Sequence, residues 1–133
     1  MTKAQYNELL QGIGHNLYLA ANNLGQSTNT QVFNSGVDTL KGVVHDSANE
    51  LDGVRPPGSA AQQANNRLVE AYRALEKQFD KVKDARRVSY PSAVAALQAA
   101  QKSPAARETI SAGMQLRKLG YTVPVFAMIG GSA

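Results

Sequence analysis

The stretch RPPGSAAQQANNRLVEAYRALEKQFDKVKDARRV, residues 55–88, decides the fold. Its Pro56-Pro57-Gly58 corner stops any helix that enters it, because each proline lacks a backbone donor and holds φ fixed. Beyond the corner, Ala61, Ala64, Leu68, Tyr72, Leu75, Phe79 and Val82 recur at spacings of three and four, which places one apolar stripe on one helix face. Ser59 with Gln62 matches the Ser-x-x-Gln capping box and predicts the helix start. Pro91 disfavours helical backbone at Tyr90, so the pattern predicts a helix over 59–88, about 45 Å long at 1.5 Å per residue. The other face is charged. Arg73 with Glu76, Lys77 with Asp80, Lys81 with Asp84, and Asp84 with Arg87 stand three apart, and these charges are expected to pair along the helix. A helix this long with a single apolar stripe needs partners from the rest of the chain.

Those partners are written on either side. Thr2 with Gln5 opens a helix over 2–24 that carries Tyr6, Leu10, Ile13, Leu17, Ala20 and Leu24. Gly12 and Gly14 inside it are expected to mark close approach of a neighbouring helix, and Gly25 to end it in a left-handed conformation. Thr28 with Gln31 opens a second helix over 28–52 bearing Phe33, Val37, Leu40, Val44, Ala48 and Leu51. The short connection makes the first two helices an antiparallel hairpin. After Pro91, the small residues Ala93, Ala96 and Ala100 and the bulkier Ile110, Met114, Leu116 and Leu119 define a fourth helix over 91–119, broken at Ser103-Pro104. Gly120 closes it, with Tyr121 placed to touch Leu116. The reading is one all-α domain over residues 1–133: an antiparallel up-down-up-down four-helix bundle whose fourth helix lies against the third and beside the first.

Composition narrows the chemistry. The 133 residues contain no cysteine, which excludes disulfides, thiolate zinc sites and cysteine nucleophiles. Residues 1–58 carry three basic and five acidic side chains, whereas residues 59–133 carry eleven and five. The cluster Lys81, Lys83, Arg86 and Arg87 is the candidate anion patch, although positive charge at a helix C-terminus is also what the helix dipole favours. Without interleaved aromatics it makes nucleic-acid or anionic-surface binding only a third reading. His15 and His45 stand within about one helical turn in height across the hairpin and are the candidate metal residues, with Asp46 or Glu8 nearby. Two ordinary histidines at helix edges is the simpler account. Glu-x-x-His motifs, serine elbows, phosphate loops and dinucleotide fingerprints are missing, and Gly12-Ile13-Gly14 lacks a preceding strand. No catalytic residue, enzyme activity or cofactor is expected. No window is apolar enough for a membrane span, and Met1-Thr2-Lys3 leads into no secretory core, so the chain reads as cytoplasmic, with export after removal of a signal as the alternative.

The end of the chain stands apart. Residues 122–133 carry no charge, and Val123, Val125, Phe126, Met128 and Ile129 are the candidate interaction residues. Such a segment folds back over the bundle or enters a groove on a neighbouring subunit. The leading functional expectation is a non-catalytic interaction or assembly module, contacting a second copy or another protein through this tail. The alternative is a small-ligand carrier using the bundle interior, with Gly12, Gly14 and Gly113 leaving room. Leu51-Asp52-Gly53-Val54-Arg55-Pro56-Pro57 followed by Asn66-Arg67-Leu68-Val69-Glu70-Ala71-Tyr72-Arg73-Ala74-Leu75 resembles a proline-corner and amphipathic-helix pattern of exported bacterial helical-bundle proteins of unknown function. The resemblance covers about a quarter of the chain and implies a bundle and no defined chemistry; the chain lacks the signal or lipid-attachment cysteine that those proteins often carry.

Overall fold

Local chemistry divides the described residues into five helical segments. The computed structural model describes residues 1–27 and 29–123, with α1 over Lys3–Gly25, α2 over Thr30–Asp52, α3 over Ser59–Ala85, α4 over Tyr90–Gln101 and α5 over Pro104–Lys118. α4 and α5 are the two halves of the broken fourth arm. At the break, the Ser103 hydroxyl accepts from the Ala106 N–H at 3.2 Å and donates to the Ala100 carbonyl at 2.7 Å, while Pro104 occupies the first helical position.

The caps show which local signals prevail. Thr2 and Gln5 form the reciprocal capping box at the start of α1. α2 is capped by Asn29, whose Oδ1 accepts from Val32 N–H at 2.9 Å, so the expected start at Thr28 moves inward. Asparagine is among the best capping residues, and a run of adjacent cap-competent side chains leaves the choice to the burial of Phe33 and Val37. The Ser59 box does not form either. The proline corner is turned by Gly58 at φ +89°, a conformation that suits glycine, so glycine becomes the N-cap and Ser59 falls inside the helix. Gln62 Nε2 donates instead to the Pro56 carbonyl at 3.3 Å.

Two helix ends also differ from expectation. α3 stops at Ala85 rather than Val88, because residues 86–89 form the turn and Ser89 caps α4 through Ser92 N–H at 3.1 Å. That cap offsets the bias of Pro91, and Tyr90 is the first residue of α4. Gly25 is the last residue of α1, not a left-handed cap; among the described residues only Gly58 and Gly120 have positive φ. Gly120 behaves as expected: its N–H donates to the Arg117 carbonyl at 3.0 Å and Tyr121 N–H to the Leu116 carbonyl at 3.1 Å, the paired bonds of a Schellman end.

The helices alternate in direction. At one end, the base, the foot of α1 meets the ends of α2 and α5 and the start of α3; at the other, Phe33 of α2 packs edge-on against Tyr90 of α4 at 5.3 Å. Tyr6, Leu17, Leu40, Leu51, Leu68, Leu75, Phe79 and Leu116 fill the interior between them. Each such side chain contributes about 1.5–3 kcal/mol by leaving water. Close backbone approaches join α1 to α2, α2 to α3, and α3 to both α4 and α5. Small buried residues allow the last of these: Ala93, Ala100, Ala105 and Ala112. The tight crossing of α1 and α2 is at Gly36, where an added Cβ would lie 3.1 Å from Leu24 Cδ1 and 3.3 Å from Leu24 Cα. The expectation of close approach at Gly12 fails, since that position is exposed and nothing stands within 4 Å of it. No comparable run of close approaches joins α1 to α4 or α5 among the described residues. That fourth seam is tied at the base instead.

Candidate interaction surface

Charge is divided unequally around the bundle. The charged side chains of α3 were expected to pair along the helix; they pair across it. Arg73 reaches Asp52 at 3.0 Å, Glu76 reaches His45 at 2.6 Å, Asp80 bonds Lys41, and Lys83 and Arg86 share Asp38 at 3.6 and 3.2 Å. These residues flank the apolar stripe of α3, next to the polar edge of α2, so a neighbouring helix is within reach of each. On the other flank of α3, Arg67 bonds Glu108, Ser111 and Gln115 of α5. Hydrogen bonding to Asp80 raises the Lys41 pKa. Such exposed pairs set the register of the helices more than their stability.

The side made by α1 and α4 is different. α4 contains no charged residue, and α1 between Leu9 and Gly25 contains only His15 among titratable groups other than Tyr18. No ion pair joins α1 to another helix among the described residues. Large apolar side chains nevertheless stand in solvent there and nearby: Tyr18 at 54% exposure and Leu19 on α1, Val88 and Tyr90 at the head of α4, and Met114 at 50% on α5.

At the base this side is closed by a polar and aromatic cluster. Tyr6, fully buried, donates to Asn65 Oδ1 at 2.7 Å, and Asn65 Nδ2 donates to the Leu51 carbonyl at 2.9 Å, which joins α1, α2 and α3 through one amide. Burial, reinforced by Tyr121 and Tyr72, pushes the Tyr6 hydroxyl well above the usual tyrosine range; burial alone does the same to Tyr72. The Tyr6 and Tyr121 rings meet edge-on at 5.1 Å. Lys3 lies over the Tyr121 ring and donates to the Leu119 carbonyl at 3.1 Å, and Thr122 N–H donates to Asn7 Oδ1 at 2.6 Å. Asn65 was missed by the sequence reading. Its signal was present, for position 65 shares a face with Ala61, Leu68 and Tyr72.

The residues singled out from the sequence fare unevenly. His45 is held by Glu76 at 2.6 Å through Nδ1 and by Asn49 at 3.2 Å through Nε2, so it is engaged with α3. The structure gives it no bond to His15, which is exposed on α1, and no group of three metal-ligating side chains occurs among the described residues. The basic cluster is split: Arg86 and Lys83 are committed to Asp38, with Arg86 also bonding the Asn34 carbonyl, while Lys81 and Arg87 are exposed. Val123 is half-buried and packs on the core. Val125, Phe126, Met128 and Ile129 lie outside the described residues.

Gly14 and Gly113 are buried, Gly12 faces out, and the depressions of about 290, 360 and 520 Å³ lie at the proline corner, along the outer α1–α2 groove and beside Lys3 and Tyr121. No helix among the described residues is long and apolar enough to cross a membrane. Comparison with protein-family models, with curated proteins and with solved structures gave no match to this chain.

Proposed function

We propose that the protein is a non-catalytic assembly module that contacts another protein chain through its charge-free side, with the apolar C-terminal segment as the contact element. The observation that carries this reading is the partition of charge. Ion pairs lace α2 to α3 and α3 to α5, whereas the α1 and α4 side presents exposed Tyr18, Leu19 and Tyr90 with no charged group on α4. Desolvating uncharged surface costs little, and large apolar side chains supply the gain on association. The segment that begins at Val123 is equally free of charge and starts at the foot of this side.

The test is the native mass of the full chain and of a chain ending at Val123, each measured by light scattering over a range of concentration. The reading expects a discrete oligomer that is lost on truncation. An oligomer that survives truncation unchanged removes the segment as the contact element, and a full-length chain that stays monomeric and recruits no partner removes the assembly role.

A further inference from the structure

We propose that the outer face of the α1–α2 hairpin pairs with the same face of a second copy of the chain across a twofold axis. This face is distinct from the contact element named above: it turns away from Asn7, which holds Thr122 at the base, and contains no residue of the C-terminal segment.

Both helices repeat a second spacing behind their core stripes. Gly12, Asn16, Leu19 and Asn23 follow one another at four, three and four along α1, so they share one face, and all are exposed. Val32, Ser35, Thr39 and Gly42 do the same along α2 at three, four and three. The crossing of Leu24 on Gly36 brings the two rows side by side, and between them runs a groove of about 360 Å³ bordered by Asn23, Val32, Ser35 and Thr39, with Ala20 and Gly36 beneath. Two aliphatic side chains stand in solvent beside it, Leu19 at 45% exposure and Val32 at 46%.

Contacts within one chain do not account for the glycines of these rows. Glycine weakens a helix interior relative to alanine, and a closely approaching neighbour is what offsets that cost. Gly36 has such a neighbour in Leu24, whereas a Cβ added at Gly12 or Gly42 meets nothing within 4 Å among the described residues. Both stand on the outer side of the same hairpin, so the close approach they permit is to another chain.

Charge and shape select a second copy as that chain. Near a twofold axis a side chain meets its own equivalent, so a lone charge meets its like, and a face that pairs with itself has to be uncharged and self-complementary. Neither row carries a charge; the first met along α2 is Asp46, one turn beyond Gly42, where it falls at the rim. The complement to the groove is present on the face itself, since Leu19 and Val32 project beside a hollow walled by small side chains. Each copy therefore supplies the aliphatic groups that fill the other's hollow, and removing them from water drives the association.

The test is sedimentation velocity of the full chain over a wide range of concentration, beside Leu19→Glu, Val32→Glu and Gly42→Gln, with helical content and thermal midpoint taken for each at low concentration. Val32 is the third residue of α2, where glutamate suits a helix start, and the space around Gly42 is open, so these two variants keep the fold even where Leu19→Glu fails to. The expected result is a concentration-dependent oligomer for the wild type and a dissociation constant raised at least about ten-fold in each folded variant. A wild type that stays monomeric throughout assigns the face to solvent or to a different chain, and folded variants that assemble as tightly as wild type remove the face from the contact; either result overturns the proposal. Truncation at Val123 reads the other surface. An oligomer lost on truncation but indifferent to these substitutions overturns the hairpin face and leaves the segment, whereas one that survives truncation and falls to the substitutions supports the face and removes the segment.

Discussion

Asn65 occupies a position on α3 where an apolar residue would satisfy the stripe, and its amide is used at both ends. With 2% exposure it has no water to fall back on, so its loss leaves the Tyr6 hydroxyl unpaired in the interior and takes one of its donors from the Leu51 carbonyl, which still accepts from the backbone of Gly53 and Val54. Asn65→Leu is expected to destabilise the fold by about 2–4 kcal/mol, and Tyr6→Phe by about 1–3, measured by urea unfolding. The two effects should be less than additive, because each removes the same bond. Tyr6 and Tyr72 also set the alkaline limit. Both hydroxyls have pKa values raised above the ordinary value near 10, chiefly by burial. Above that pH the unfolded chain releases protons that the folded chain retains, so the unfolded state gains and stability falls. Their contribution is therefore intact below about pH 10 and declines above it. Unfolding midpoints for wild type and Tyr72→Phe at pH 8, 10 and 11 check this, with the variant expected to lose less stability between pH 8 and 11.

At the scale of single helices, two glycines make opposite predictions. Gly12 is exposed in the middle of α1 with nothing within 4 Å of an added Cβ, so Gly12→Ala is expected to stabilise by about 0.5–1 kcal/mol. A Cβ added at Gly36 would lie 3.3 Å from Leu24 Cα, and a backbone atom cannot step aside as a side chain end can; Gly36→Ala is expected to destabilise by about 1–3 kcal/mol. Thermal unfolding of both variants reads the sign directly. The same pair shows what the chain made legible. Apolar spacing placed all four arms, because burial of a periodic stripe is a local property of the sequence, while Pro104 and Gly120 marked the break and the end of the last arm. It could not tell Gly12 from Gly36, since close approach depends on which neighbour lies opposite. It also misplaced the start of α2 by two residues and the cap of α3 by one, because Asn29 and Gly58 compete with Thr and Ser at adjacent positions and the turn decides. Of the candidate surface, the lack of charge in residues 122–133 was readable. The diversion of charges from α3 to Asp38, Lys41, His45 and Asp52 was not, since it needs the crossing partner of α3.

For the molecule as a whole, α3 is the hub: among the described residues α2, α4 and α5 all approach it closely, whereas α1 makes a comparable run of close approaches only to α2. The base ties through Lys3, Tyr6 and Asn7 hold one end of α1, and the short connection to α2 holds the other. This unequal attachment has a consequence for motion. Opening free energies within a native protein follow the number of packed neighbours an element must leave, so α1 is the element that can part from the rest while α3 stays protected until global unfolding. Amide exchange followed by mass spectrometry is expected to show the centre of α1 exchanging through a partial opening, and the centre of α3 only through complete unfolding. Uniform protection across α1 and α3 would show instead that the bundle opens as one unit. In the expected case, the free energy of lifting α1 is what any incoming chain must supply to reach the interior.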